Sequence, residues 1–482
     1  MTSAATRFLD ALRPELPARA IVTDPDTIAP WLVDWRGRYR GRAAAMVEPG
    51  TTAEVAAVVR AAAAARVPLV PQGGNTGMVG GSTPGGEGDA VILSLRRLDR
   101  IRSVDADSGI AVAEAGVILQ TLNDAALAVG RRFPLTLGAR GSATIGGLVS
   151  TNAGGTQVLR FGTMRGLVAG VEAVMADGSV HDGLAALPKD NRGYSLDQLL
   201  IGAEGTLGVV TAAALRLVPA VAARGVAWVG LGSPKTALAL LRFVQARTGT
   251  IESFEILPAD SLAAVLAHVP NTRAPLEGVH RWHVLIEATA PDTEGERPTA
   301  ILERLLGEAL EAGLADDAVV AASEGQADAF WRLRDSISEA ERSLGPATQH
   351  DISVPVGDMP RFMVEAAAAC EARFPGVHAS GFGHLGDGNV HFHVRAPSGA
   401  GRDRWYEDDA PRITRFVHDL VVAVGGSISA EHGIGQMKIG ELARLGPPAR
   451  LAAMRAIKAA LDPLGILNPG KLVPLAPQST AQ

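Results

Sequence analysis

The stretch PQGGNTGMVGGSTP, residues 71–84, decides the fold class of this chain. Its five glycines let the backbone bend sharply and present consecutive N–H groups to a ligand. Such a run of amides forms a concave site for an anion, and a pyrophosphate group suits it. The stretch lacks the lysine of the G-x-x-x-x-G-K-[ST] loop and is not a clean G-x-G-x-x-G. By itself it predicts a phosphate-binding loop, preceded by a helix that starts in a capping box at Thr51–Glu54 and by a strand at Val67–Pro71.

Two more glycine-rich stretches follow and extend this prediction. Residues 134–166 read PLTLGARGSATIGGLVSTNAGGTQVLRFGTMRG, and residues 201–211 read IGAEGTLGVVT. The first has too few large apolar side chains to pack as ordinary core, so its glycines and small polar residues suit close contact with an extended, planar, polar ligand. Short strand-like segments, AVILSL and IAVAEAGV, lie between the loops. Three such loops predict one large nucleotide cofactor held along its length.

Histidines concentrate in GFGHLGDGNVHFH, residues 381–393. Its four glycines predict a loop, and the alternation after them predicts a half-buried strand with Asn389, His391 and His393 on one face. His384 on the loop is expected to fold back towards them. The nearby SISAEHGIG, residues 427–435, reads as a second short strand and adds Glu431. Any single histidine is more simply a core or solvated residue, but two imidazoles with a carboxylate are typical of a divalent metal site.

Composition excludes several classes of function. The 482 residues are 47% apolar and 20% charged, with a net charge of −6, which gives no reason to expect nucleic acid as a partner. The single cysteine, Cys370, rules out an intramolecular disulfide framework and suits a reducing compartment. The first residues lack the order of a signal peptide, and no apolar run is long enough for a membrane span. We therefore expect a cytoplasmic protein with no membrane span.

Six motifs in the same order resemble those of the FAD-dependent D-2-hydroxyacid dehydrogenases, which are flavoproteins of the vanillyl-alcohol oxidase type. The resemblance runs from about residue 40 to 475. The motifs are PQGGNTGMVGGSTP, GSATIGGLVSTNAGG, GAEGTLGVVT, GHLGDGNVHFH, SAEHGIG and LDPLGILNPGKL.

The resemblance implies an α+β protein. Its FAD-binding domain, of the PCMH type, would span residues 1–220 in two α+β subdomains, followed by a substrate or cap domain at 221–425 with an antiparallel sheet and helices. A C-terminal segment, 426–482, would return to the flavin and carry part of the active site. The cap is also expected from the residues alone, because strand-like runs such as VAWVGLG and WHVLIEATA alternate with long helical runs. That alternation predicts a sheet with helices on one face.

The resemblance also implies which residues hold FAD. They are mostly glycines and small polar residues of the three loops, with one asparagine near the C-terminus: Pro71, Gly73, Gly74, Asn75, Thr76, Gly77, Met78, Gly81, Ser82, Pro134, Leu137, Gly138, Gly141, Ser142, Thr144, Gly146, Gly147, Thr151, Asn152, Gly154, Gly155, Glu204, Gly205, Gly208, Val210 and Asn468. Relatives that bind FAD covalently through the first loop usually place a histidine after its glycine pair. Asn75 stands there in this chain, which predicts non-covalent FAD.

The family motifs assign His384, His391 and Glu431 as ligands of a divalent metal, with Zn²⁺ favoured and Mn²⁺ or Co²⁺ open. Oxidation of a 2-hydroxy acid removes the hydroxyl proton and moves a hydride from C2 to flavin N5. A bound cation stabilises the developing alkoxide as a Lewis acid. His432 is then the expected general base, and Asn389 either supports the site or faces the substrate.

Substrate contacts are expected around Arg334, whose guanidinium suits a carboxylate. It lies in FWRLRDSISEAERSLG, and Ser338, four residues on, would share its helix face. Gln349 stands where hydroxyglutarate-specific relatives carry a lysine, and Ser338 matches a threonine there. D-2-hydroxyglutarate is the favoured substrate, with His432 also in contact with it, and D-lactate is the main rival.

Two classes of function remain open from sequence. One is a catalytic dehydrogenase that passes electrons to an external carrier, an electron-transfer flavoprotein or a quinone. The other is a flavin-carrying subunit of a multi-subunit glycolate-type oxidase. Retention of His384, His391, Glu431 and His432 together favours the enzyme, since a non-catalytic subunit does not need them. The glycine pattern disfavours a nicotinamide enzyme, and a homodimer stays open.

Overall fold

The computed structural model describes residues 2–474 and divides the chain into two compact units. The first unit comprises the described parts of Met1–Gly154, Gly162–Pro219 and Glu431–Gln482. The second comprises Gly155–Phe161 and Ala220–Ala430. Residues 155–161, which the sequence analysis places in 1–220, therefore belong to the second unit, where Gln157 donates to Glu252 at 3.0 Å.

The first unit is built on two sheets. A four-stranded sheet has the order β1-β2-β4-β3, in which β2, β4 and β3 run parallel; its strands are β1 (Ile21–Val22), β2 (Ala45–Val47), β3 (Leu69–Gln72) and β4 (Val91–Ser94). A five-stranded antiparallel sheet has the order β5-β6-β10-β8-β9; its strands are β5 (Ile101–Asp105), β6 (Ile110–Glu114), β8 (Val168–Val174), β9 (Val180–Asp182) and β10 (Val209–Arg216). A small pair joins β7 (Arg131–Arg132) to β11 (Val218–Pro219). These two sheets with their helices are the two α+β parts expected from sequence.

Helix α3 shows why the first unit folds as the sequence predicts. Thr51 caps it by accepting from the Glu54 N–H at 3.1 Å, and its Val and Ala side chains pack into the core with Leu69 and Val91. The helices of this unit are α1 (Ser3–Leu12), α2 (Pro25–Ile28), α3 (Thr52–Ala65), α4 (Leu119–Leu127), α5 (Ile145–Thr151), α7 (Met164–Leu167), α8 (Leu196–Leu200), α17 (Ile439–Leu445) and α18 (Pro448–Leu461).

The second unit is a seven-stranded sheet of order β15-β12-β14-β13-β17-β18-β16, and all of its neighbours pair antiparallel. The antiparallel cap sheet expected from sequence is thus confirmed. Its strands are β12 (Ala223–Leu231), β13 (Ile251–Pro258), β14 (Trp282–Ala290), β15 (Asp317–Val320), β16 (Ala347–Ser353), β17 (His378–His384) and β18 (Asn389–Arg395).

Helices cover both faces of this sheet, so the expectation of helices on one face is wrong. One face packs Val229, Val284 and Phe392 against α9, α11, α14 and α16, and the other packs Trp228 and Phe382 against α10, α12 and α13. The strands therefore bury both alternating sets of side chains. The helices are α6 (Val158–Phe161), α9 (Pro234–Gln245), α10 (Ala259–His268), α11 (Pro298–Glu311), α12 (Glu324–Asp335), α13 (Ile337–Ser343), α14 (Met359–Arg373), α15 (Arg402–Arg404), a π-helical turn Trp405–Asp409 and α16 (Ala410–Ala423).

No helix among the described residues has both the length and the apolar character that crossing a bilayer requires.

Two local expectations about the motif loops are corrected. Gly381 and Gly383 lie inside strand β17 rather than in a loop, and His384 is its last residue, paired with Asn389 in a tight hairpin. The glycines remain necessary there, because a Cβ at Gly383 would lie 2.2 Å from the Asn389 carbonyl oxygen. Residues 427–435 do not form a strand; they contribute only an isolated bridge between Ser427 and Ser353.

The helix expected around Arg334 is also interrupted. Helix α12 ends at Asp335, Ser336 adopts φ −82° and ψ −4° at the junction, and α13 starts at Ile337. Ser338 is exposed on α13. The expectation that Arg334 and Ser338 share one helix face is therefore wrong, since the four-residue spacing holds only within a continuous helix.

Candidate active site

Two of the glycine-rich loops of the first unit touch each other directly. A Cβ at Gly73 would lie 2.2 Å from Thr144 Oγ1, and a Cβ at Gly74 would lie 1.9 Å from the Ser142 carbonyl oxygen. A side chain at Gly74 would clash with backbone, and one at Gly73 would displace the Thr144 side chain, so both glycines allow the two loops to approach closely. The loops thus place many backbone amides together, as a bound pyrophosphate requires.

Buried polar atoms beside these loops test whether FAD suits the site. Thr144 Oγ1 and Asn468 Oδ1 are buried and have no hydrogen-bond partner among the described residues. The amide nitrogen of Asn468 is engaged, donating to the carbonyl oxygens of Gly81 at 2.9 Å and Glu204 at 2.7 Å. Buried polar atoms without partners are costly unless a ligand or water satisfies them. Together with the loops, these unpaired atoms fit a polar cofactor such as FAD.

Glu204 has a different environment from the other residues assigned to the flavin. Its carboxylate accepts from the backbone N–H groups of Ile434 at 2.7 Å and Gly435 at 2.8 Å. Burial raises the pKa of Glu204, and these hydrogen bonds oppose the rise. Glu204 therefore anchors the chain immediately after His432 to the first unit. This anchoring role has no local signal in the sequence.

Asn75 uses its side chain within the loop. Its amide nitrogen donates to the Val33 carbonyl oxygen at 2.9 Å, and Ser82 Oγ donates to its Oδ1 at 3.3 Å. Its backbone adopts φ +53°, a conformation that asparagine tolerates better than most residues. Non-covalent binding of FAD, expected from Asn75, stays a prediction.

One face of the second unit's sheet carries the polar residues of the histidine motif. Glu255 on β13, His384 on β17 and Asn389 on β18 form one row of directly opposed residues. The neighbouring row contains Phe382, His391 and Asp351. Opposed residues of antiparallel strands point to the same face, so the strand register itself gathers these side chains.

Glu255 joins two of the predicted site residues. It is fully buried, and its Oε2 accepts from Arg334 Nε and Nη2, each at 2.8 Å. Its other oxygen, Oε1, lies 2.7 Å from His384 Nδ1. Burial acts to raise the pKa of Glu255, but His384 and Arg334 outweigh it and lower the pKa below its ordinary value. Sequence reasoning missed Glu255; the only signal was an acidic residue in the strand IESFEILP.

Two of the predicted metal ligands lie together in the second unit. The ring centroids of His384 and His391 are 5.4 Å apart. Ser427 is hydrogen-bonded to β16 through Ser353, at 2.7 Å and 3.0 Å. Glu431 and His432 follow in the sequence and begin the last segment of the first unit. Sequence reasoning did not select Asp351, which lies opposite His391 in the sheet register.

Asn389 lies beside these residues of the second unit. Its amide nitrogen donates to Asp351 Oδ1 and to the Ile352 carbonyl oxygen, both at 3.0 Å. Its Oδ1 is buried with no hydrogen-bond partner in the described part of the chain. The side chain thus orients Asp351 and keeps one acceptor for a further donor.

A third row of residues contains Gln349. It lies opposite His393 in the register, and His393 in turn contacts Glu341 of α13 through Nδ1. The rings of His391 and His393 each lie 5.2 Å from the ring of Phe382, and Arg334 Cζ lies 5.2 Å from the same ring. His393 and Glu341 therefore lie next to residues that were predicted to contact the substrate. Neither of the two was given a role in the site from sequence.

Comparisons with known proteins agree with this arrangement. The FAD binding domain family matches residues 43–183, and the family of FAD linked oxidases, C-terminal domain, matches residues 221–472. Among solved structures, p-cresol methylhydroxylase superimposes with a TM-score of 0.76 at 15% identity, over 98% of both chains. The fold is thus that of the vanillyl-alcohol oxidase and PCMH-type flavoproteins.

Curated relatives narrow the family. A protein of Arabidopsis thaliana named "D-2-hydroxyglutarate dehydrogenase, mitochondrial" is 38% identical over 95% of this chain and 80% of its own length. One of Xanthomonas citri pv. viticola, named "D-2-hydroxyglutarate dehydrogenase", is 35% identical over 96% of both chains. The chain belongs to the FAD-linked oxidases and, within them, is an FAD-dependent D-2-hydroxyacid dehydrogenase.

Proposed function

We propose that this dehydrogenase oxidises D-2-hydroxyglutarate to the 2-oxo acid with the help of a divalent metal. The observation that supports the metal is the pair of His384 and His391, whose ring centroids lie 5.4 Å apart within the second unit. The family motif adds Glu431 as the third ligand. The names of the relatives support the choice of D-2-hydroxyglutarate.

Arg334 is proposed to bind the substrate's C1 carboxylate. A guanidinium has five N–H donors in a rigid plane, so it can contact Glu255 along one edge and a carboxylate along another. Arg334 is nearly buried, with 8% of its surface exposed. When a carboxylate binds there, both the carboxylate and the guanidinium lose contact with water, and the charge-assisted hydrogen bonds between them become stronger.

The histidines divide the remaining tasks. If His384 donates its Nδ1–H to Glu255, its Nε2 lone pair is left for a metal. A divalent cation held by His384, His391 and Glu431 would supply Lewis-acid stabilisation of the substrate hydroxyl, and FAD would supply the hydride acceptor. His432 is the proposed general base, which takes the hydroxyl proton. Asn389 orients Asp351.

The remaining parts of the proposal rest on ligand chemistry and resemblance. Two imidazoles and a carboxylate suit Zn²⁺ first, with Mn²⁺ or Co²⁺ as alternatives. Electrons are proposed to leave to an electron-transfer flavoprotein or a quinone. The cytoplasmic location stays a prediction; the name of the Arabidopsis relative places that protein in mitochondria.

D-lactate is the second candidate substrate, and Gln349 is the residue that favours it. A neutral amide there lacks the charge that a lysine would offer to a distal carboxylate, and Glu341 lies on the neighbouring His393. The distinguishing experiment is dye reduction by the purified flavoprotein over D- and L-2-hydroxy acids, with and without added Zn²⁺, Mn²⁺ and Co²⁺. If kcat/KM is highest for D-2-hydroxyglutarate, the result supports the proposed substrate. If kcat/KM is higher for D-lactate, D-lactate replaces D-2-hydroxyglutarate as the proposed substrate.

Removal of the metal should abolish reduction of the flavin by hydroxy acids while FAD stays bound. His384→Ala should behave like the stripped protein, and added metal should not rescue it. His432→Asn should keep its metal but lose ~10²–10⁴-fold in rate, as expected for loss of a general base. Undiminished turnover of the metal-free protein would exclude the metal from the reaction.

A further inference from the structure

One carboxylate serves two parts of the proposed site. Both oxygens of Glu255 are in use: Oε2 accepts from Arg334, and Oε1 faces His384 Nδ1. Glu255 has no exposed surface, and Arg334 and His384 are buried as well. The three residues come from three separate elements, β13, α12 and β17.

We propose that Glu255 is a positioning residue that couples metal binding at His384 to substrate binding at Arg334. This inference rests on the proposed function of those two residues. It adds that the two binding events depend on the same buried carboxylate.

The chemistry of the two partners explains why a carboxylate is required. Arg334 can only donate, and His384 must donate from Nδ1 if its Nε2 is to ligate a metal. A carboxylate accepts from both sides. A glutamine has one acceptor oxygen and one NH₂ group, so Glu255→Gln can satisfy one partner only and turns a donor towards the other.

The position of Glu255 also limits the alternatives open to its partners. Arg334 lies over the Phe382 ring, with Cζ 5.2 Å from the ring centroid, and His384 lies in register opposite Glu255. Both side chains are largely buried, so bulk water can replace the lost acceptor only in small part. Loss of the Glu255 carboxylate should therefore weaken metal binding and substrate binding, because water does not fully solvate the N–H group that loses its acceptor.

The test measures both bindings in the Glu255→Gln flavoprotein. Zn²⁺ affinity is measured by competition with a chromogenic chelator, and kcat and KM for D-2-hydroxyglutarate are measured at increasing Zn²⁺. We expect Zn²⁺ affinity to fall ~10–100-fold, as for other carboxylates behind a ligating histidine. We also expect saturating Zn²⁺ to restore most of kcat while KM stays roughly tenfold raised.

Glu287→Gln is the matched control. Glu287 lies on the neighbouring strand β14, accepts from Trp331 Nε1 of the same helix α12 at 2.7 Å, and lies 3.6 Å from Arg224. It therefore links helix to sheet through a carboxylate, as Glu255 does, but its partners Trp331 and Arg224 have no role in the proposed site. Its Zn²⁺ affinity and KM should match those of the parent protein.

The outcomes separate this inference from the function on which it rests. If the parent protein binds no Zn²⁺ and needs no metal, the proposed function fails. If the parent needs metal but Glu255→Gln keeps its Zn²⁺ affinity and its KM, the coupling role is overturned. Should Glu255→Gln not fold, Glu255→Asp retains the charge on a shorter side chain and must show the same two effects in smaller measure; parent-like values would again overturn the role.

Discussion

Asn75 has a conformational role in the first glycine-rich loop. Its amide holds the Val33 carbonyl oxygen at 2.9 Å, and its backbone has a positive φ. The amide nitrogen is not a nucleophile, and its hydrogen bond to Val33 holds it within the protein. Its role in the loop is to fix the turn between the paired glycines and Thr76.

The flavin should therefore be released by denaturation. Acid precipitation of the purified protein should leave FAD in the supernatant, where its absorbance and fluorescence measure the recovered fraction. Flavin that stays in the washed pellet would reveal a covalent link and contradict the interpretation of Asn75.

Gln349→Lys should shift preference towards the diacid. A lysine ammonium supplies a charge to a distal carboxylate that an amide lacks, so the ratio of kcat/KM for hydroxyglutarate over lactate should rise roughly tenfold. Ser338→Ala is the control: Ser338 is exposed on α13 and should not alter the ratio. An unchanged ratio in Gln349→Lys, or full activity of Arg334→Ala on every hydroxy acid, would refute this placement of the substrate.

The hairpin of β17 and β18 is the element on which the site depends. It brings His384 opposite Asn389 and His391 opposite Phe382. Its turn needs Gly388, which adopts φ +83°, and a Cβ there would lie 2.1 Å from the Val354 carbonyl oxygen. A side chain at this position would push β18 away from the segment that follows β16.

Gly388→Ala should accordingly destabilise the protein by roughly 2–5 kcal/mol, which combines the left-handed conformation with a backbone clash. Gly399→Ala is the matched control, since Gly399 has φ +82° but no atom within 4 Å of an added Cβ. Its cost should stay at roughly 1–2 kcal/mol. Urea denaturation of both variants measures the difference, and equal costs would show that the turn does not need the close approach.

At the scale of the whole molecule, each unit has its own apolar core. The first centres on residues such as Phe8, Val91 and Leu93, and the second has separate clusters on the two faces of its sheet. The buried polar groups of the second unit include His283, whose Nδ1 accepts from Trp228 Nε1 at 3.1 Å. Burial, together with the nearby His280, lowers the pKa of His283 from 6.5 to about 4.

Stability should therefore fall below pH 6.5. Between pH 6.5 and about 4, the unfolded chain protonates His283 and the folded chain does not, so acid favours unfolding. The loss approaches the order of 3 kcal/mol near pH 4. His283→Gln keeps an acceptor for Trp228 and should show a flatter dependence of the urea midpoint on pH over this range. A parallel pH dependence in the two proteins would exclude His283 as a contributor.

Several features followed from the sequence alone because they depend on local chemistry. The glycine-rich loops indicate close backbone contacts wherever they are placed, and the alternation around His391 predicts a strand whatever its neighbours. The Thr51 cap of α3 likewise forms within one turn, although the Glu54 carboxylate accepts from the Gly50 N–H rather than from the Thr51 N–H of a capping box. Local signals of this kind predicted loops for a large nucleotide cofactor and a strand that carries histidines. The α+β class, FAD as the cofactor and the assignment of His384, His391 and Glu431 as metal ligands followed from the resemblance of six motifs to one family.

The tertiary structure decided which side chains meet across distant parts of the chain. Glu255 and His384 are 129 residues apart and become neighbours only through the pairing of β13 with β17. Trp228 and Phe382 are buried on the second face of the sheet because α10, α12 and α13 pack on it. No periodicity in the strand sequences predicts this second layer of helices. The break between α12 and α13 at Ser336 likewise separates Ser338 from Arg334. Register and layer packing are properties of long-range contacts, and a local pattern cannot specify them because it contains no information about the partner strand or helix.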